Sequence, residues 1–134
     1  MIIDLEETFI VGEDTFFSSI SPTSHFGVVF EDDLTTGYLY AIDTQKDQKI
    51  LDAVHIYNVT NVIDKHKPSV IQIIWTDDGQ IVAFLINHHC HAIFDFKNKA
   101  GYCRNAFPES KGEWAQVTDR KLTDDLISDL FKDA

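Results

Sequence analysis

From Val70 to Arg104 the chain alternates short apolar blocks with turn-forming residues, and that spacing leaves few ways to fold it. Residues 70–75 and 81–86 are apolar runs of strand length, separated by Thr76-Asp77-Asp78-Gly79-Gln80. Asp-Gly suits a tight turn that needs a positive φ, so the pair of runs reads as a hairpin. Asn87-His88-His89-Cys90 turns the chain again, 91–96 forms the next strand, 97–101 turns once more, and Tyr102-Cys103-Arg104 runs back. Strands in consecutive order make an antiparallel meander, and the near-continuous apolar runs mark central strands covered on both faces. Asp95 and Arg104 fall on successive strands, where a carboxylate and a guanidinium can pair.

The period-2 pattern continues less cleanly toward the N-terminus. A strand over 8–11 leads into Gly12-Glu13-Asp14, and Phe16 and Phe17 precede a polar segment, 18–24, that reads as a loop around Pro22. Residues 26–30 and 37–42 form a strand pair joined through Glu31-Asp32-Asp33. Ile50, Leu51, Val54 and Asn58 sit at helical spacing, whereas Val54, Ile56 and Val59 favour a strand. A short helix over 47–53 running into a strand over 55–59 reconciles the two signals. Thr123 can cap a terminal helix whose first turn carries Asp124 and Asp125, and Leu126, Ile127, Leu130 and Phe131 give it one apolar stripe. The expected class is α+β: an antiparallel β-meander sheet of about six to seven strands, a C-terminal amphipathic helix, and that short mid-chain helix as an option. A chain of 134 residues suits a single domain over 1–134, and 44% hydrophobic residues supply its core.

Charge narrows the function. Residues 1–67 carry 4 Lys/Arg against 12 Asp/Glu, and residues 68–134 carry 7 against 10. Phosphate backbones are bound by clustered cations, so a chain of net charge −11 is expected to bind neither nucleic acid nor an anionic membrane. A basic protein would instead be steered toward it. The start, Met1-Ile2-Ile3-Asp4-Leu5-Glu6-Glu7, has no basic segment, and no run approaches the ~20 apolar residues of a membrane span. A cytoplasmic location is expected, with Cys90 and Cys103 as free thiols.

Candidate chemistry centres on His88-His89-Cys90-His91. On an extended chain His89 and His91 point the same way, a half-site for a transition metal that Cys103 or His55 could complete. The C-x-x-C and H-E-x-x-H spacings are absent, which favours a His-rich hairpin turn over a ligand set. A cysteine nucleophile needs an electropositive setting, and Arg104 beside Cys103 is the one basic sequence neighbour. Neither a G-x-S-x-G elbow nor a calcium-loop pattern occurs, so no catalytic residue and no cofactor are expected. Trp114 and Phe107, beyond the meander, are the aromatics most expected to be partly exposed.

Several phrases together, His55-Ile56-Tyr57-Asn58-Val59, Trp75-Thr76-Asp77-Asp78-Gly79, His91-Ala92-Ile93-Phe94-Asp95-Phe96, Gly101-Tyr102-Cys103-Arg104 and Phe107-Pro108, resemble a small bacterial family classed as a domain of unknown function. The resemblance covers residues 10–115 and implies a compact bacterial domain with no catalytic residues to carry over. The overall profile is similar to that of immunity proteins, which neutralise nuclease toxins of competing bacteria. The expected function is therefore an immunity-type inhibitor, not an enzyme, whose partner is a basic toxin domain. Glu31, Asp32, Asp33, Asp43, Asp47 and Asp52 are the expected acidic contacts, with Tyr38 and Tyr40 as anchors. The alternatives are a metal-binding protein or metal-dependent enzyme built on His89, His91, Cys103 and His55, and a soluble adaptor domain.

Overall fold

The hairpins of the second half form as their turn residues require, but they build only one of two sheets. A computed structural model describes residues 1–132. Among these, nine strands run in chain order: β1 (Ile2–Phe9), β2 (Thr15–Ile20), β3 (Phe26–Asp32), β4 (Thr36–Asp43), β5 (Lys49–Asn58), β6 (Ser69–Trp75), β7 (Ile81–Ile86), β8 (His89–Asp95) and β9 (Ala100–Cys103). One α-helix, α1 (Asp124–Phe131), follows. All strand pairings are antiparallel, in a five-stranded sheet ordered β1-β6-β7-β8-β9 and a four-stranded sheet ordered β2-β3-β4-β5. The molecule is thus mostly β, with two sheets and more strands than the single meander expected.

The differences from expectation have local causes. The first strand is Ile2–Phe9 and not 8–11, because Glu6 and Glu7 sit on an edge strand whose polar residues need not be buried. The expected loop over 18–24 begins instead as the end of β2. Ser19 is buried there, accepting from the Trp75 indole N–H at 2.9 Å and donating to Asp4 at 2.6 Å. A hydroxyl satisfied on both sides can occupy a core position, which hid the alternation. The mid-chain helix is absent from the described residues: 49–58 is all strand, preceded by a single 3-10 turn at Thr44–Lys46. Two irregularities in the β4–β5 register leave Leu51 and Ile56 as extra residues, and such bulges mimic helical spacing in the apolar pattern. Asp95 and Arg104 do not pair. Asp95 accepts from the Asn98 side chain at 2.8 Å, while Arg104 donates to the Cys90 carbonyl and reaches Asp124 at 3.0 Å.

The inner faces of the sheets share one core. Val28, Phe30, Leu39 and Val54 meet Ile71, Ile73, Trp75, Phe84 and Phe94, all essentially inaccessible to solvent. The outer face of the five-stranded sheet makes a second, smaller core, where Ala83, Ile93 and Leu122 pack with Leu126, Ile127, Leu130 and Phe131. The α1 stripe is therefore placed as its sequence implied, and the Thr123 hydroxyl accepts from Leu126 N at 3.2 Å as the N-cap. Asn87 and His88 both take positive φ, 50° and 67°, so the β7–β8 connection is a two-residue turn, shorter than expected.

The segment between β9 and α1 is fastened by a buried ion pair. Arg120 donates to Asp52 Oδ2 at 2.9 Å, to Asp52 Oδ1 at 3.3 Å and to the Ala53 carbonyl at 3.2 Å. Space for the carboxylate exists because residue 101 is glycine: a Cβ there would lie 2.1 Å from Asp52 Oδ2. Burial pushes the Asp52 carboxyl up, and the guanidinium opposes that. Removing one charge of such a pair leaves the other buried alone, at a cost of about 3–5 kcal/mol. Arg120→Ala is expected to lower the unfolding free energy from urea titration by that amount, and the Asp52→Leu/Arg120→Met double variant to recover most of it. A single variant as stable as the parent would show that the pair does not fasten the segment.

Candidate binding surface

The two outer faces of the sandwich differ. One lies under α1; the other, on the four-stranded sheet, has no element packed over it among the described residues. Strand register arranges that open face in rungs. Phe16, Glu31, Tyr38 and His55 form one, Ser18, Val29, Tyr40 and Ala53 the next, and Ile20, Gly27, Ile42 and Ile50 the third. Phe16 is 65% exposed, Ile50 58% and Ile20 42%, values unusual for large apolar side chains on a sheet. Phe16, Val29, Tyr40, Ile42 and Ile50 border a shallow depression of about 340 Å³, with Glu31 and Gln48 as its polar members. Tyr38 and Tyr40 stack with centroids 6.1 Å apart. Partial burial, with Glu31 close by, pushes the Tyr40 hydroxyl up, so it stays a neutral donor.

The expected acidic contacts separate into two groups. Glu31 lies on the open face, and Asp33 and Asp47 are exposed in the turns that follow β3 and the 3-10 turn. Backbone N–H groups of Thr36 and Thr35 bond the Asp33 carboxylate and hold it below the usual range. Asp32, Asp43 and Asp52 are buried, contrary to their expected surface role. Asp32 accepts from Gly12 N at 2.7 Å, Leu34 N at 2.9 Å and the Tyr57 hydroxyl at 2.5 Å, and its inward orientation follows from strand alternation. Burial first, and this bond second, push the Tyr57 hydroxyl far up. Asp43 caps the 3-10 turn through Gln45 N, and Asp52 holds Arg120.

The four residues of the metal reading do not converge. His89 and His91 are neighbours, with ring centroids 4.8 Å apart. His55 bonds Asn58 on one ring nitrogen and Asn105 on the other, and Cys103 Sγ lies 3.2 Å from Asn105 Oδ1. Among the described residues no group of three or more His, Cys, Asp or Glu side chains is placed to hold a metal ion. Burial pushes Cys90 up to about 11 and raises Cys103 as well, so both stay thiols at neutral pH. Trp114 is buried, whereas Phe107 is exposed. Phe16, Ile20 and Ile50 were missed as surface residues. The available signal was the Phe16-Phe17 doublet, since two successive strand residues must face opposite ways.

A family model described as an uncharacterized protein conserved in bacteria (DUF2251) matches residues 9–131. A curated relative from Haemophilus influenzae, described as an uncharacterized protein, is 42% identical over 86 residues, which is 63% of this chain and 53% of the relative. The chain thus spans about half the length of the curated relative it matches. No solved structure matches. No helix among the described residues is long and apolar enough to cross a membrane.

His91 carries a pH signature of its own. Burial, with His89 and then Arg104 adding to it, pushes the imidazole down to about 4. The unfolded chain takes up this proton near pH 6.5 while the native state stays neutral to about pH 4. The contribution of a neutral His91 is therefore whole above pH 6.5 and lost as pH falls toward 4, by up to about 3 kcal/mol. Unfolding free energies from urea titration at pH 7 and pH 5 should show about 2 kcal/mol of this loss in the parent and a smaller one in His91→Gln; equal losses would mean that His91 titrates normally.

Proposed function

Since the chain belongs to the bacterial DUF2251 family, we propose that it is a binding protein of immunity type, which neutralises a basic toxin domain docked on the open face of the four-stranded sheet. The observation that carries this reading is the rung pattern of exposed Phe16, Ile20 and Ile50 beside Tyr38, Tyr40 and Glu31. Aromatic anchors over a shallow apolar depression, bordered by carboxylates, are what a protein interface uses for affinity and register. The net charge of −11 supports a cationic partner, because it speeds encounter while the apolar rungs supply contact area. Glu31, Asp33 and Asp47 remain the acidic contacts in this reading. Asp32, Asp43 and Asp52 keep the sheet in shape beneath it. The metal reading is less well supported, because its four residues fall into two pairs, His89 with His91 and His55 with Cys103 around Asn105, and no three converge among the described residues.

The first test is the gene neighbourhood, where this reading expects a gene for a secreted toxin with a basic domain directly upstream, and the lack of any such gene counts against the reading. The second is stopped-flow association with that purified domain. Association is expected to slow by about tenfold or more between low and high salt. Tyr40→Ala and Phe16→Asp are expected to speed dissociation by about tenfold or more without changing thermal stability greatly, as hot-spot truncations do. Glu31→Lys should slow association, mostly at low salt. Salt-independent association, or unchanged dissociation in both aromatic variants, would remove this face as the interface.

A further inference from the structure

The depression on the open face holds one charge in an otherwise apolar frame. Val29 and Tyr40 are cross-strand neighbours, with Ile42 and Ile50 of the third rung on one side of them and Phe16 of the first on the other. Glu31 is the one charged residue on this lining. It is half-buried, directly opposite both Phe16 and Tyr38, and diagonal to Tyr40. Other surface carboxylates are engaged: Glu113 pairs with Lys99, Asp124 with Arg104, and Asp33 accepts backbone N–H groups. No Lys, Arg or His pairs with Glu31 among the described residues. A carboxylate framed by apolar side chains is less screened than one in open water, so a cation that reaches it is held more strongly. Tyr38 stacks on Tyr40 with ring planes 19° apart and does not border the depression, so the opposite face of the Tyr40 ring is turned to it.

We infer that this depression seats one arginine side chain of the docking protein, its guanidinium flat on the free face of Tyr40 and its N–H fork on the Glu31 carboxylate. The source of that arginine rests on the toxin-binding reading; the chemistry of the seat does not. Diagonal side chains on neighbouring strands are about 7–8 Å apart, a span that a guanidinium bridges. Arginine answers each feature of the lining. Its plane stacks on an aromatic face, its fork bonds a carboxylate at two points, and its stem covers Val29 and Ile50. The lysine ammonium is compact and strongly hydrated, so it would shed more water to enter and offer Glu31 no matching fork. An apolar side chain would bury Glu31 unpaired, which is unfavourable, and an acidic one would be repelled.

Amide NMR titration of the full chain with N-acetyl-L-arginine amide, and with its lysine and citrulline counterparts, tests the assignment; citrulline is the uncharged isostere of arginine. The arginine probe is expected to shift the Val29, Glu31 and Tyr40 amides saturably, with a Kd of about 10 mM or tighter. The lysine probe should bind about threefold more weakly and the citrulline probe about tenfold. Glu31→Gln should weaken the arginine probe about tenfold and leave the citrulline probe unchanged, because only the charge is lost. Tyr40→Leu should weaken the arginine probe about threefold or more, whereas Tyr40→Phe, which keeps the ring, should not. Absence of a saturable shift up to about 50 mM, citrulline binding as tightly as arginine, or affinity unaltered in Glu31→Gln overturns the proposal. The probes need no toxin, so the two readings fail separately. Probes that do not bind, beside a Phe16→Asp variant that still speeds toxin dissociation, would remove the arginine seat and leave the docking face. Probes that bind as expected, beside salt-independent toxin association, would leave the seat and remove the toxin.

Discussion

Phe30 of the four-stranded sheet lies on Phe84 of the five-stranded sheet, ring centroid to ring centroid at 5.0 Å, and the rest of the molecule is arranged around that contact between layers. Two sheets can share a core when each offers an apolar face and the polar groups reaching inward find partners there. Ser19 and Trp75 meet this condition by bonding each other across the layers. Asp32 meets it with two backbone donors and a tyrosine. At the seam where β5 approaches β9, Asp52 meets it with Arg120. These carboxylates belong to the architecture.

That division alters the meaning of the chain's acidity. Twelve carboxylates in residues 1–67 read as a surface property when counted along the sequence. In three dimensions Asp32, Asp43 and Asp52 face inward, and the field sensed by a partner comes from side chains such as Glu31, Asp33 and Asp47. Charge counting overstates an acidic surface whenever turns and strand edges draw carboxylates in as backbone acceptors.

The second half was legible because its turns announce themselves: Asp78-Gly79 and Asn87-His88 sit where β6, β7 and β8 reverse, and the α1 stripe with its Thr123 cap was equally plain. The first half was not. Ser18 and Ser19 concealed a strand, and the bulged residues Leu51 and Ile56 disguised another as a helix. The existence of a second sheet depends on long-range pairing that periodicity does not encode. For the candidate surface, Tyr38 and Tyr40 could be named from alternation, but which face stays open could not, because that depends on where α1 docks.

The pairing of β1 shows what this topology asks of a growing chain. β2 to β5 and β6 to β9 are each consecutive meanders, whose strands find their partners a few residues away. β1 alone must reach across the sequence, with Ile2 opposite Trp75 and Phe9 opposite Ser69. During synthesis its backbone groups wait, unpaired, until the whole four-stranded sheet has been made and β6 has followed. The acidic residues Glu6 and Glu7 keep that waiting strand from offering itself to another chain, as charges on edge strands do. Their position on β1 guards the nascent molecule at the stage when it is most open to mispairing.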